Sequence, residues 1–243
     1  MNEGELVKLL ARDSSFIVAA HEMKTPLAII RQLSLTLNDP EFEVSQTERQ
    51  RILNQIDLTS ERALRIVSDL TKVARLEDAM FELAPVNAKK VCNDIQREMA
   101  KIYALHGREI IFKNSAKDVG LAVANYDLLR SILLNFSDNA LYSSEQNSKV
   151  EVSVKNVGRK IRILVRDYGE ELPLAIWRVV KKEQNQPVQA AARPQSSGLG
   201  IFIAQNFARA MGAKIGVIRH RNGNTFYVDL NKSEQLSLLW KEF

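Results

Sequence analysis

The chain has 243 residues, 45% of them hydrophobic and 26% charged, with a formal net charge of +5, a soluble composition long enough for one or two buried cores. No apolar stretch reaches the roughly 20 residues that cross a bilayer, and no signal-peptide pattern precedes the apolar run from Phe16 to Ala20, so the sequence reads as cytoplasmic with no membrane segment. Lys and Arg are scattered without a recognition-helix, zinc-finger or aromatic-platform signature, which argues against nucleic acid as a partner, and the single Cys92 rules out an internal disulfide.

Phe16, Ala20, Met23, Leu27, Ile30, Ser34 and Leu37 step by alternating intervals of four and three, the seam of a helix that packs on other helices. The spacing predicts one helix from about Glu3 to Leu37. Asn38-Asp39-Pro40 ends it, and Ser45 with Glu48 three residues on forms a capping box for the next. There Leu53, Ile56, Ser60, Ala63, Val67, Leu70 and Ala74 repeat the stepping, so residues 1–78 read as an antiparallel helical hairpin. A lone hairpin cannot cover its own seam on both sides, and pairing with a second copy into a four-helix bundle is the expected solution, a homodimer through residues 1–78.

Residues 79–243 read as a second domain of mixed elements. A helix is expected at Ala88–Leu105 and short strands at Glu109–Phe112 and Leu121–Val123. Helices follow at about Tyr126–Tyr142 and Leu199–Met211. Val150, Val152 and Val154 alternate, as do Ile161, Ile163 and Val165 beyond Asn156-Val157-Gly158-Arg159, the pattern of a β-hairpin with one buried face. A strand at Thr225–Leu230 closes a helix-on-sheet sandwich. Residues 178–197, rich in Gln, Ala, Ser and Pro without a clean period, read as a mobile inserted loop.

Several residue groups stand out against this frame. His21 lies one position off the seam of the first helix and is expected to be exposed. Pro26 interrupts the same helix five residues on, at a cost of about 3 kcal/mol that asks for a reason. Asn135 and Asn139 are four apart, on one helix face, with carboxamide oxygens of the kind that ligate magnesium. Asp167-Tyr168-Gly169 ends a strand where a carboxylate can accept from an adenine amino group and a glycine leaves room for the base. Gly198-Leu199-Gly200 opens a helix whose N–H groups can face phosphate. Thr225, in Asn222-Gly223-Asn224-Thr225-Phe226, offers a hydroxyl to a nucleotide. His106, His220 and Cys92 fall outside any motif and suggest no transition-metal site.

The segment His21-Glu22-Met23-Lys24-Thr25-Pro26-Leu27 resembles the phosphoacceptor box of sensor histidine kinases. The four later segments, in this order, resemble the N box and glycine boxes of the ATPase fold shared by histidine kinases, the Hsp90 chaperone, gyrase and MutL. The similarity covers nearly the whole chain. It implies an α+β architecture, with a dimeric four-helix bundle followed by an α/β sandwich ATP-binding domain. It also implies ATP-dependent phosphorylation of His21, with Glu22 as base or orienter, transfer to a receiver-domain aspartate, and phosphatase action aided by Thr25. ATP and Mg2+ are the implied cofactors: Asn139 would hold the metal with Asn135 close by, Asp167 would read adenine, and residues 178–197 would form the ATP lid. With no input domain recognisable ahead of His21, a separate sensor protein is a further possible partner.

Some positions depart from the family pattern. Glu171 replaces the second glycine of Asp-x-Gly-x-Gly, Tyr142 stands where a cation is common, Asn125 replaces an aspartate, Asn224 replaces the threonine after Gly223, and the lid lacks its usual aromatic segment. These departures leave open a second reading, a dimeric phosphotransfer scaffold or phosphatase with a weakened ATP site.

Overall fold

A computed structural model describes residues 3–41, 44–76, 81–113, 119–174, 177–178 and 198–234, with side chains in the first helix described from Ala19 onward. The chain forms two compact units, Met1–Arg75 and Leu76–Phe243. The expected boundary at 78/79, the expected lid apart from Arg178, and the side chain of Phe16 lie outside the described residues.

The first unit is a helical hairpin, α1 (Glu3–Asn38) and α2 (Gln46–Ala74). Ser45 starts α2 as expected, its hydroxyl accepting from the Glu48 N–H at 3.2 Å and satisfying one of the donors that open a helix. The expected seam is offset: of its residues Ala63 is buried but Ala20, Leu27, Leu53 and Val67 are exposed, Leu27 by 56%, while the buried Ala19, Pro26 and Ile52 each lie one position before a seam residue. The hairpin closes one edge of its apolar surface and leaves the other to water.

The second unit contains β1 (Ala84–Val86), α3 (Ala88–Leu105), β2 (Glu109–Lys113), β3 (Ala122–Ala124), α4 (Tyr126–Ser143), β4 (Lys149–Val157), β5 (Lys160–Arg166), α5 (Leu199–Ala210), β6 (Lys214–His220) and β7 (Gly223–Asn231). Five strands form a sheet in the order β2-β4-β5-β7-β6, with β2 parallel to β4 and the other neighbours antiparallel. β1 and β3 form a separate antiparallel pair. The expected helices and strands are present within a few residues; β1 and β6 are additions to the sequence reading.

Strand alternation decides the layers. Val150, Val152, Val154, Ile161, Ile163, Val165, Phe226, Val228 and Leu230 are all buried and line the face that the helices cover. Ile95, Met99, Leu128, Ile132, Ile203 and Phe207 supply the helical side of this core. The Phe136 and Phe226 rings meet at 5.5 Å, and the buried Tyr103 hydroxyl donates to the Ser137 carbonyl at 2.6 Å, tying α3 to α4. β4 and β5 join through Gly158, whose φ of 58° suits a primed two-residue hairpin turn.

The other face of the sheet is polar and aromatic. Arg162 donates twice to Asp229, at 2.6 and 2.7 Å, and its guanidinium lies 3.9 Å from the centre of the Tyr227 ring. That ring lies against Gly216, where a Cβ would overlap it.

Candidate functional site

In the first unit, His21 and Thr25 are both exposed and four residues apart on α1, hence on one face, while Glu22 and Met23 are half-buried. The helix runs through Pro26. Having no N–H, Pro26 cannot bond the Glu22 carbonyl, so the turn that begins beside His21 lacks one helical hydrogen bond. Pro26 itself is buried, which gives the proline a packing role in the hairpin.

In the second unit, the period of two carries the buried row Ile161, Ile163, Val165 on to Asp167, and the row Phe226, Val228, Leu230 back to Asn224. Both point into the helix-covered side at one end of the core. Asp167 is fully buried. Its Oδ1 accepts from the Gly169 N–H at 3.2 Å, the Asn224 N–H at 3.2 Å and the Asn224 Nδ2 at 3.3 Å. Its Oδ2 is buried and has no partner among the described residues. Burial raises the carboxyl above its ordinary range, and the Gly169 and Asn224 donors with the nearby Arg166 charge pull it back. One oxygen is saturated by the protein, and the other is left unsatisfied, an arrangement that asks for an explanation.

Gly169 passes so close to α4 that a Cβ there would overlap the Ser143 carbonyl oxygen. Arg108 holds the neighbouring Ser144 carbonyl through Nε at 2.9 Å and Nη2 at 2.6 Å. The loop carrying Asp167 is thereby pressed onto a fixed helix end.

Asn135 and Asn139 share a face of α4, each half-buried. The Asn135 Nδ2 donates to the Ser131 carbonyl at 2.9 Å, which turns its Oδ1 toward α5: a Cβ on Gly200 would lie 3.1 Å from that oxygen. Gly198 caps α5 with a φ of 79°, a conformation glycine adopts without strain. Asn135 and Gly200 are therefore brought together, and Leu199 between the glycines is buried. Two carboxamide oxygens suit a magnesium ion that takes its remaining ligands from phosphates and water. Among the described residues no group of three His, Cys, Asp or Glu forms a denser metal cage.

Other expected site residues lie elsewhere. Thr225 falls on the opposite face of β7 from Asn224, with its hydroxyl 2.9 Å from His220 Nε2; the β7 side chain beside Asp167 is Asn224. Tyr142 is exposed and edge-on to His106, ring centres 6.3 Å apart. Glu171 forms an ion pair with Arg219 at 2.9 Å, so its charge is matched within the protein. Asn125 caps α4, accepting from the Asp127 and Leu128 N–H groups at 3.1 Å. The sequence reading missed the roles of Asn224, Arg219 and Ser143; for Asn224 the signal was strand parity counted back from Phe226.

Comparison with known proteins agrees with this layout. The family model of the His Kinase A (phospho-acceptor) domain matches residues 16–79. The model described as Histidine kinase-, DNA gyrase B-, and HSP90-like ATPase matches residues 124–234. The heme sensor protein HssS of Staphylococcus haemolyticus is 27% identical over 220 residues, 87% of this chain and 45% of that protein. The swarming motility regulation sensor protein RssA of Serratia marcescens is 28% identical over 255 residues, 94% of this chain and 50% of that protein. The chain thus spans about half the length of these relatives. The crystal structure of histidine kinase ThkA in complex with response regulator protein TrrA shares the fold, with a TM-score of 0.62 at 16% identity over 94% of this chain and 64% of that one. No helix among the described residues is long and apolar enough to cross a membrane.

Proposed function

Because the chain belongs to the sensor histidine kinases, carrying their phosphoacceptor and ATPase modules in that order, we propose that it is a kinase core that phosphorylates itself on His21 at the expense of ATP and passes the phosphoryl group to a receiver-domain aspartate. The observation that carries the reading is Asp167: a buried carboxylate with one oxygen saturated and the other without a partner among the described residues fits the exocyclic amine of adenine, which donates and cannot accept.

In this reading Asn135 and Asn139 hold Mg2+, which when bound neutralises phosphate charge. The N–H groups after Gly198 face the phosphates at the start of α5, with Gly200 leaving room beside Asn135. His21 attacks the γ-phosphorus through a ring nitrogen; an N–P bond forms as the bridging P–O bond breaks, and ADP leaves. Glu22, next in sequence, takes or orients the proton on the other ring nitrogen. Thr25, on the same exposed face, positions a water on the receiver's phosphoaspartate, whose acyl phosphate P–O bond breaks to give the aspartate and inorganic phosphate. Residues 178–197 act as the ATP lid, and residues 1–78 and 79–243 are the phosphoacceptor and ATP-binding domains. The response regulator held by ThkA supports a receiver domain as partner. A cytoplasmic location follows from the ATP requirement, and a separate sensor protein remains a candidate source of the signal.

The exposed half of the seam, Leu27, Leu53 and Val67, supports a homodimer, since a second copy would bury it. Light scattering at micromolar concentration is expected to give twice the chain mass; a monomer mass would end that part of the proposal.

The decisive test is incubation with γ-labelled ATP and magnesium. Wild type is expected to carry acid-labile label, and His21→Gln and Asn139→Ala none. A folded wild type that takes up no label would favour the scaffold or phosphatase reading, though the pairing of Glu171 with Arg219 removes one of the departures behind it.

A further inference from the structure

The end of the five-stranded sheet where β4 turns into β5 lies away from Asp167 and has a character of its own. Register places Lys155 of β4 opposite Arg162 of β5, Arg162 opposite Asp229 of β7, and Asp229 opposite Lys214 of β6. One cross-strand row on the outer face therefore carries three cations and one carboxylate. In the next row Val157 stands opposite Lys160. Arg159 lies in the turn between them, where its carbonyl accepts from the Lys232 N–H at 3.2 Å. Basic residues that are scattered along the sequence are gathered by the fold at one rim.

Strand pairing does not account for them. Asp229 is already bonded twice by Arg162, and a lysine set directly opposite an arginine adds nothing to a sheet. Lys155 and Arg159 are exposed and Lys160 is half-buried, and none of the three has an ion-pair partner among the described residues. By contrast, Lys113 lies 2.6 Å from Glu151 and Lys149 lies 3.2 Å from Glu109, so the cations of β2 and of the first residue of β4 are matched. At the tip, Val157 is 39% exposed, an apolar side chain with Lys155, Arg159 and Lys160 around it.

We propose that this rim is a docking surface for an anionic phospholipid bilayer, with Val157 entering the headgroup layer and Lys155, Arg159 and Lys160 meeting lipid phosphates. Long basic side chains can keep their charges at the phosphates while an apolar neighbour goes deeper, and each Lys or Arg beside such a surface adds to the attraction. The exposed valine decides against nucleic acid as the occupant: a phosphodiester backbone meets the cations but offers little to an apolar tip, whereas a bilayer takes both.

The test is partition of the full chain onto vesicles, which requires no nucleotide. With mixed phosphatidylcholine and phosphatidylglycerol vesicles in about 0.1 M salt, wild type is expected to sediment with the lipid. With phosphatidylcholine alone, or at about 1 M salt, where the screening length shrinks to roughly 3 Å, it is expected to stay in the supernatant. Lys155→Gln, Arg159→Gln and Lys160→Gln together should lower the partition coefficient about 100-fold. The same loss of charge on α3, through the exposed Lys90→Gln, Arg97→Gln and Lys101→Gln, should change it by no more than about twofold, since charges away from the contact are screened. Val157→Ser, which alters no charge, should lower it by about threefold or more. Wild type that ignores anionic vesicles, two triple variants that lose binding equally, or a Val157→Ser protein that partitions like wild type each overturns the inference. If wild type ignores vesicles but binds polyglutamate or a DNA duplex through the same three cations, the rim belongs to an acidic polymer and the bilayer reading fails.

Discussion

Gly169→Ala is expected to destabilise the second unit by about 3 kcal/mol or more, toward the upper end for an added methyl group in a packed interior. The added carbon would overlap the Ser143 carbonyl oxygen, a backbone atom that cannot rotate aside as a side chain would. Neither wall has room to yield: Arg108 grips the next carbonyl with two donors, and Asp167 and Asn224 hold the loop from inside. For a unit of this size the loss corresponds to a fall in melting temperature of about 10 °C, read by circular dichroism, accompanied by weakened ATP binding because Asp167 is two residues away. A melting temperature within about 2 °C of wild type would mean that the loop shifts freely, and the close approach would lose its meaning.

Asp167→Asn, nearly isosteric, is expected to lower ATP affinity by about 10- to 100-fold, the range for losing a hydrogen bond to a charged acceptor. An amide NH2 in place of Oδ2 would point a donor at a donor. The pH dependence has a defined sign. Burial raises the Asp167 carboxyl, and the neutral form cannot serve as a pure acceptor, so wild-type affinity should decline as pH falls through a value above the ordinary carboxylate range. That acid limb should be missing in Asp167→Asn. Stability of the ligand-free protein runs the other way: a carboxyl raised on folding contributes fully below its unfolded pKa, and the contribution is lost as pH rises through the folded value. The asparagine variant should therefore lack this decline. Calorimetric ATP titrations across pH, with parallel unfolding curves, check both directions; equal ATP affinity in the two proteins would remove Asp167 from base recognition.

Much of this was legible in the residues because alternation and stepping are direct imprints of packing. The rows of Val150 to Val154 and Ile161 to Val165 marked a hairpin, and the order of the helices needed little more. What escaped has local physical causes. β6 contains Gly216, which weakens any strand signal and is there because the Tyr227 ring lies against it. β1 is three residues long and includes Pro85, which reads as a break. The hairpin seam was read one residue late at Ala20, Leu27 and Leu53, which are exposed while Ala19, Pro26 and Ile52 are buried, because a stepping pattern defines a stripe more firmly than its phase.

At the candidate site the differences from the sequence reading share one origin: residues were judged by side-chain chemistry before strand parity. Thr225 was favoured for its hydroxyl and Asn224 was read as a departure, yet Phe226 fixes which of the two faces Asp167. Glu171 was read only as a departure from the glycine pattern, because its pairing with Arg219 is formed between residues 48 apart in the chain and no local pattern announces it. Asp167 itself was singled out in the sequence, as the carboxylate that ends a hairpin strand two residues before a glycine.

The outer face of the five-stranded sheet also bears on how such a unit can be reused. Arg162, Asp229 and Tyr227 dress that surface so well that Leu164, the register partner of Tyr227, is only 9% exposed with no further layer laid over it among the described residues. A sandwich finished on its outer side demands no particular neighbour. It can be joined to unlike polypeptides as a portable cartridge, keeping its own fold while what surrounds it changes.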